Sequence, residues 1–392
     1  MPQTSASKEL GQDVELKLTN RICVVSRIWF YAIWSAADLV EGLAKCGASV
    51  VYIAPPLRPT FREPAHPNVV RINVPRELID CPSKFRSMAS KVRRIMGAFF
   101  ATMLQIFRTK TFLFTFAEHQ IINIPTFLIL RLFGKKVVLI VHDVIPHNFA
   151  LVHRKRLKRF LLHSQYRAAS VIVTLSEAGR QRLISEFQIR ASKIHVIPHG
   201  AVGFDRQSKI PSERVLLAFG SIRENKNILK VLEAVKMARL SGLDVKLLVA
   251  GGYDGSNPYC QACVTMIKED PSAFIDKIGF VEEADVPDLI AQTNAFILAY
   301  SDFDSQSGVA VLAGVNSRPV IATFAGGVRD LQALGLAGVE IKQPVTTATI
   351  LSAIQEFYKT PLDQWQAAAE AGQSQLSEHL DWTGIARSYL RL

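Results

Sequence analysis

Along this chain, short and almost unbroken apolar runs alternate with longer stretches whose apolar side chains recur every three or four residues. In the first half the runs are RICVVS (21–26), SVVYIA (49–54), FLFTF (112–116), KVVLIV (136–141), SVIVTL (170–175) and KIHVI (193–197). Apolar residues at successive positions predict strands covered on both faces, as in a parallel sheet with helices above and below. SAADLVEGLAKCG (35–47) has helical spacing and ends on glycine, which readily adopts the left-handed turn that closes a helix. The alternation is that of βαβ units in a doubly wound parallel sheet.

The rhythm pauses at HGAVGFDRQSKIPSER (199–214), rich in glycine, serine and charge. It resumes with RVLLAF (214–219), a helical stretch to about 240, DVKLLVA (244–250), FIDKIGF (274–280), AFILAY (295–300) and PVIAT (319–323). The expected layout is a polar tail at 1–19, an α/β domain at 20–200, a linker at 201–213, a second α/β domain at 214–374 and a C-terminal helix at 375–392 returning to the first domain. At 392 residues the chain is longer than one core usually serves. Two such domains are expected to face each other across a cleft, with ligands at the carboxyl ends of the strands.

An apolar fraction of 49% with 20% charged residues excludes a disordered chain. The net charge of +12 implies an anionic partner: nucleotide phosphates, a membrane surface or nucleic acid. Of five cysteines, Cys260 and Cys263 form a CxxC with no second pair to complete a zinc site, so free thiols in a reducing compartment are expected. The first twenty residues lack the apolar core of a secretion signal. The longest uncharged apolar stretch, between Arg94 and Arg108, falls short of the ~20 residues that span a bilayer. A cytoplasmic location is expected.

The chemistry concentrates at FGSIRENKN (219–227). Gly220 at a strand end permits a tight turn, Arg223 offers planar bidentate donors to phosphate, and Lys226 adds a compact charge. The helix that follows adds partial positive charge at its start. Together they suit a diphosphate, above all a leaving diphosphate that gains charge as a glycosidic bond breaks. A second anion cradle is expected at DSQSGVA (304–310), where Ser305, Ser307 and Gly308 lead into a helix. Either turn alone reads more readily as a solvated loop with a helix cap; their joint appearance in one domain, in this order, favours a site.

GSIRENKNI, LLVAGG (247–252) and IGFVEEADVPDLIAQTNAFILAYSDFDSQSGVAVLAGVNSRPVIATFAGG together resemble the donor half of a family 4-type retaining glycosyltransferase with the GT-B fold, two Rossmann-like domains across a cleft. In the first half VLIVHDVIPH is similar to the segment with that family's active-site histidine, and VTLSEAGRQRL and IHVIPHG match later landmarks. The resemblance spans roughly residues 20–390. It implies that Arg223 and Lys226 grip the donor diphosphate and that the turn through Ser305, Ser307, Gly308 and Val309 donates backbone N–H groups. It also implies that Gly251 and Gly252 admit the nucleotide, that Phe280 frames the base, and that His142 lies by the transferred sugar. The family's paired glutamates are not both present. Counting from Pro319 gives Asp304 and Leu312, and aligning on Gly308 gives Ser305 and Ala313, so the usual ribose contact is missing. Asp304 is left as a contact to the donor hexose. The glycine-rich loop after the first strand is also absent.

Read bare, HDVIPH (142–147) is either a metal pair without a third ligand or a strand-end histidine whose pKa a cleft can tune. His147, Glu118 and His119 are acceptor-side candidates. Trp29 and Tyr31 crowd the first strand–helix loop with Phe30 and Trp34, where aromatic faces suit sugar rings or lipid tails, or plug the sheet. Two cationic amphipathic segments, around 83–110 and 153–167, read as solvated helix faces or as membrane-surface attachment. No nucleic-acid module is present.

The leading expectation is a hexosyltransferase. It uses a nucleotide diphosphate sugar as co-substrate and a glycan or polyprenyl-diphosphate-linked acceptor, with retention, in polysaccharide or glycoconjugate biosynthesis. It needs no metal cofactor and sits at the inner membrane surface through basic segments of the N-terminal domain. The alternatives are a non-catalytic scaffold for nucleotide sugar or membrane, and another nucleotide-sugar enzyme, an epimerase, on the same fold.

Overall fold

The computed structural model describes residues 21–26, 36–56, 63–75, 83–146, 154–201, 203–204 and 208–392. The chain divides into two compact units: Met1–Gly200 with Trp382–Leu392, and Ala201–Asp381.

The first unit runs β1 (Arg21–Val25), α1 (Ala36–Lys45), β2 (Ser49–Ala54), β3 (Val69–Asn73), α2 (Lys84–Leu104), β4 (Thr111–Phe114), α3 (Gln120–Leu132), β5 (Lys136–Val141), α4 (Lys155–Ala168), β6 (Val171–Thr174), α5 (Glu177–Phe187) and β7 (Ile194–Val196). Its strands form one sheet in the order β3-β2-β1-β4-β5-β6-β7, every neighbour parallel. The unbroken apolar runs are the central strands: β2 and β5 bury every residue after the first. β3 is an edge strand with half-exposed residues, so VVRIN carries no such run. Gly47 follows α1 with φ +88°, the left-handed closure expected there. One face of the sheet is covered by α2 through α5, over Phe112, Phe127, Leu130, Leu162 and Leu183.

The second unit runs β8 (Val215–Phe219), α6 (Ile228–Leu240), β9 (Lys246–Gly251), α7 (Pro258–Glu269), β10 (Phe274–Ile278), α8 (Val286–Ala291), β11 (Ala295–Leu298), α9 (Gly308–Val315), β12 (Val320–Ala322), α10 (Gly327–Ala333), β13 (Gly338–Glu340), α11 (Thr347–Lys359) and α12 (Leu362–His379). Its sheet order is β10-β9-β8-β11-β12-β13, again all parallel. A last helix, α13 (Trp382–Leu390), belongs to the first unit and packs with α1 on the face opposite α2–α5, over Val40, Leu43, Ile385 and Ala386.

Both sheets wind outward in two directions from their first strand. The switch points lie between β1 and β4 and between β8 and β11, the places where open α/β sheets bind ligands. Residues 208–211 are tied to the second unit. Arg318, 1% exposed, donates all five of its N–H groups to oxygens: Ile290 O, Ser208 O and Oγ, Ser317 O and Lys209 O. Asn294 holds the same segment by donating to Pro211 O (2.7 Å) and accepting from the Val215 amide (2.9 Å).

Candidate active site

In the second unit Gly220, Arg223 and Lys226 follow β8 and Asp304 to Val309 follow β11, on either side of the switch point. Gly251 and Gly252 lie at the end of β9, and Phe280 follows the edge strand β10. The chain leaves β8 through Gly220 at φ +86°, where an added Cβ would stand 3.0 Å from Lys226 Nζ. Lys226 folds back and donates to the Phe219 carbonyl at 3.1 Å. Burial, aided by the nearby Arg223 charge, lowers its ammonium to about 7. Arg223 itself is exposed at the start of the short turn Glu224–Lys226. Gly220 and Lys226 are therefore one packing unit. The glycine makes room for the cation.

Asn227 joins this turn to the β11 loop. At φ +50° its side chain does not cap α6; it donates to Ala299 O (2.8 Å) and Ser301 Oγ (3.2 Å), and Ser301 N donates to Asn225 O (2.9 Å). Asn tolerates the left-handed region, which lets it bridge the loops beyond both strands. Beyond the bridge Tyr300, stacked on Phe303, lies 2.9 Å from Ser307 Oγ. Burial lifts the Tyr300 hydroxyl to about 12, against the pull of Ser307 and Arg223. Ser307 caps α9 by accepting from Ala310 N at 3.2 Å. Gly308 and Val309 open that helix, where amides precede the helix's own hydrogen bonds. Ser305 is buried, and its carbonyl accepts from Gly327 N at 2.8 Å. Added Cβ atoms at Gly326 and Gly327 would come within 3.0 Å of the Phe303–Gln306 backbone, so this turn needs both glycines.

Gly251 ends β9 at φ +135°; an added Cβ would lie 2.5 Å from the Gly220 carbonyl carbon. Its local reason is the approach of the two strand ends. At Gly252 the space is open, and its carbonyl accepts from Ile222 N at 2.9 Å. Phe280 is half exposed after β10. Asp304 sits in the Tyr300–Ser307 loop. Leu312 and Ala313, the two places where the second family glutamate would fall, are buried apolar residues of α9. Cys260 and Cys263 are buried free thiols of α7.

In the first unit a histidine pair from beyond β5 and β7 packs against the switch-point loop after β4. His142, just past β5, lies over the Phe116 ring (centroids 4.0 Å, planes 6° apart), with Nε2 3.0 Å from Thr115 O. Its Nδ1 is 3.1 Å from His199 Nε2. Burial and the neighbouring His199 hold His142 well below the ordinary imidazole range, and burial lowers His199 to about 4. His199 is braced by Trp382, the first residue of α13, at 6.1 Å between ring centroids. An added Cβ at Gly200 would lie 2.4 Å from the Trp382 ring.

Glu118 and His119 follow in the same loop as Thr115 and Phe116. His119 takes φ +52° at the start of α3, its Nε2 3.9 Å from Glu118 Oε2. Trp29, Tyr31 and His147 lie outside the described residues. The roles of His199, Phe116, Tyr300, Asn227 and the Gly326–Gly327 pair escape a sequence reading. The only signals are the histidine of IPHG, a polar asparagine at a helix start and a Gly-Gly after a strand. Among the described residues no three His, Cys, Asp or Glu side chains group as metal ligands would.

Two doubly wound parallel-sheet domains, with a phosphate-suited turn at the switch point of the second, are the architecture of the GT-B fold. Comparison matches a glycosyltransferase domain in each half of the chain. The model for Glycosyltransferase Family 4 matches residues 34–201, and that for Glycosyl transferases group 1 matches 213–359. With a glycosyltransferase domain matched in each half, the chain is a nucleotide-sugar-dependent glycosyltransferase. No curated protein matches in sequence. Among solved structures the chain is similar to sucrose-phosphate synthase from Thermosynechococcus elongatus, at 15% identity, 95% and 98% coverage of the two chains and a TM-score of 0.71. It is similar to Anabaena HepE in complex with UDP-glucose at 16% identity, 95% and 98% coverage and 0.66. The catalytic domain of starch synthase IV from Arabidopsis thaliana, bound to ADP and acarbose, gives 11% identity, 95% and 98% coverage and 0.70. At these identities the likeness carries the fold.

Proposed function

We propose that this enzyme moves a hexose, with retention, from a nucleoside diphosphate sugar to a glycan or polyprenyl-diphosphate-linked acceptor at the inner membrane surface. The observation that carries the reading is the Gly220–Arg223–Lys226 turn, bound by Asn227 to the loop that leads to Ser307 and α9. UDP-glucose in HepE and ADP in starch synthase IV are nucleotides of the matching chemistry. In this scheme the Arg223 fork and the Lys226 ammonium take up the charge that grows on the departing diphosphate, and the Gly308 and Val309 amides share it. With both cations placed there, the scheme needs no metal ion. His142 holds the Thr115–Phe116 floor on which the transferred sugar would rest, with Glu118 and His119 on the acceptor side.

One observation favours a second reading. Leu312 and Ala313 present no carboxylate to a ribose, as expected of a scaffold that binds donor without turning it over. A thermal-shift panel of nucleotide sugars, followed by mass spectrometry of products with polyprenyl-linked and free glycan acceptors, tests both. A ligand specific to the folded state adds ~2.7 kcal/mol at a hundredfold excess over its dissociation constant. A donor that stabilises and yields product supports the enzyme. A donor that stabilises and yields none supports the scaffold, and a panel with no hit rejects both.

A further inference from the structure

Helix α2 is inside out. Its buried stripe is small or polar, Ser90, Arg94, Ala98 and Thr102, followed just beyond the helix by Gln105, Ile106 and Thr109, each at most 7% exposed. Its outward stripe is apolar: Phe85 (83% exposed), Met88 (62%), Val92 (52%), Phe100 (59%) and Leu104 (75%), with Phe107 (83%) just beyond. A surface helix ordinarily does the opposite. Helix α3 buries Asn123 and Thr126 together with the core residues Phe127 and Leu130, yet leaves Ile121, Leu128 and Leu132 standing out at 74%, 53% and 84%. The two helices cover the same face of the first unit, and Phe107 meets Phe133 edge-on at 5.9 Å between centroids. The Phe107–Phe133 contact joins the ends of the two helices, so that one face of the unit carries outward apolar residues from both, of a kind that marks an interaction surface.

Charge identifies the occupant. Between residues 83 and 176, sixteen Lys or Arg stand with two acids, Glu118 and Asp143, an excess larger than the net +12 of the whole chain. Arg86, Arg93 and Arg108 flank these residues on α2 and its end. A second copy of this chain would set like charge against like across the contact. An anionic bilayer answers both features, taking the aromatic and aliphatic side chains into its headgroup boundary and pairing the cations with lipid phosphates. Among the described residues no helix is long and apolar enough to cross a membrane, whereas α2, at ~30 Å, is suited to lie along one.

We propose that the outward face of α2 and α3 is a docking surface for anionic lipid, inserting Phe85, Phe107 and Leu132. This deepens the membrane-surface part of the proposed function. Vesicle partition needs neither donor nor acceptor, so either reading can fail while the other stands.

The test is co-sedimentation of the full chain with phosphatidylcholine vesicles, with and without phosphatidylglycerol, at low and high salt. Wild type is expected to partition onto phosphatidylglycerol vesicles at low salt and to leave them as salt rises. Phe85→Ser/Phe107→Ser/Leu132→Ser and Arg86→Glu/Arg93→Glu should each weaken partition by on the order of tenfold or more. Their melting temperatures and donor thermal shifts should match wild type. Absence of partition onto phosphatidylglycerol vesicles, or variants that partition like wild type, would overturn the proposal. So would a dimer in sedimentation equilibrium that the same substitutions dissolve, since it would assign this face to a second copy.

Discussion

His199 donates from Nε2 to His142 Nδ1 across 3.1 Å. The direction follows from the other side of the ring. Thr115 O can only accept, so the proton of His142 resides on Nε2, and its Nδ1 must be the acceptor. Both nitrogens of His142 are thereby engaged within the first unit, and its ring is further held against Phe116. His142 is a neutral fixed support. His199 is the residue that keeps it so.

A pair of variants separates this role from bulk packing. His199→Gln keeps an amide donor near the Nε2 position, whereas His199→Leu keeps volume and loses the donor. The expected outcome is near-normal transfer for the glutamine. The leucine should lose on the order of tenfold or more in kcat with little change in the donor KM, in line with one lost buried hydrogen bond. Equal rates in both variants would remove His199 from the account.

The same pair predicts an acid weakness. Both imidazoles are depressed below the ordinary value of 6.5, His199 to about 4, so folding keeps them neutral while the unfolded chain protonates them. The stability they permit is intact above about pH 6.5 and is lost as pH falls toward 4. Urea titrations of wild type and His199→Gln should show a shallower decline in the variant. Parallel declines would contradict the assignment.

Lys226 predicts a pH dependence of donor binding. With its ammonium lowered to about 7, part of the population is neutral at pH 8, and a bound diphosphate must draw a proton onto it. Donor affinity should fall as pH rises past 7, with proton uptake visible as a buffer-dependent binding enthalpy. A binding enthalpy that is the same in buffers of different ionisation heat would show Lys226 already charged.

The glycines at the strand ends differ in what they tolerate. Gly251→Ala meets the Gly220 backbone at a positive φ and should cost at least ~2 kcal/mol. Gly252→Ala enters open space and should stay within ~0.5 kcal/mol of wild type. Urea denaturation ranks them, and comparable losses would show that the close approach is absent.

Arg318 offers a test of the segment before β8. Arg318→Lys cannot reproduce a five-donor fork and leaves buried oxygens unpaired, an expected loss of about 2–4 kcal/mol. Tryptic cleavage after Lys209, whose carbonyl it binds, should accelerate. Unchanged cleavage would mean that the segment is held by Asn294 and its neighbours.

Much of this was legible before any coordinates. Strands buried on both faces write themselves as apolar runs, so β1, β2, β5, β8 and β9 are readable at once, and the cationic turn after β8 follows from residue chemistry. Edge strands are harder: VVRIN faces solvent on one side and carries Arg71 and Asn73. The His142–His199 pair is harder still, because 57 residues separate its members and only the sheet order brings them together. Helix α2 shows a different limit. Its periodicity is plain, but the usual inference that its apolar stripe points inward is reversed by the polar stripe at Ser90, Arg94 and Thr102.

The central claim is that the turn after β8 recognises a diphosphate. Isothermal titration calorimetry of wild type and Arg223→Ala/Lys226→Ala against a nucleoside diphosphate sugar, and against the matching nucleoside monophosphate, measures this directly. The account predicts a loss of about a hundredfold or more for the diphosphate sugar and a small change for the monophosphate, with circular dichroism unchanged. Equal affinity of wild type and the double variant for the diphosphate sugar would contradict it.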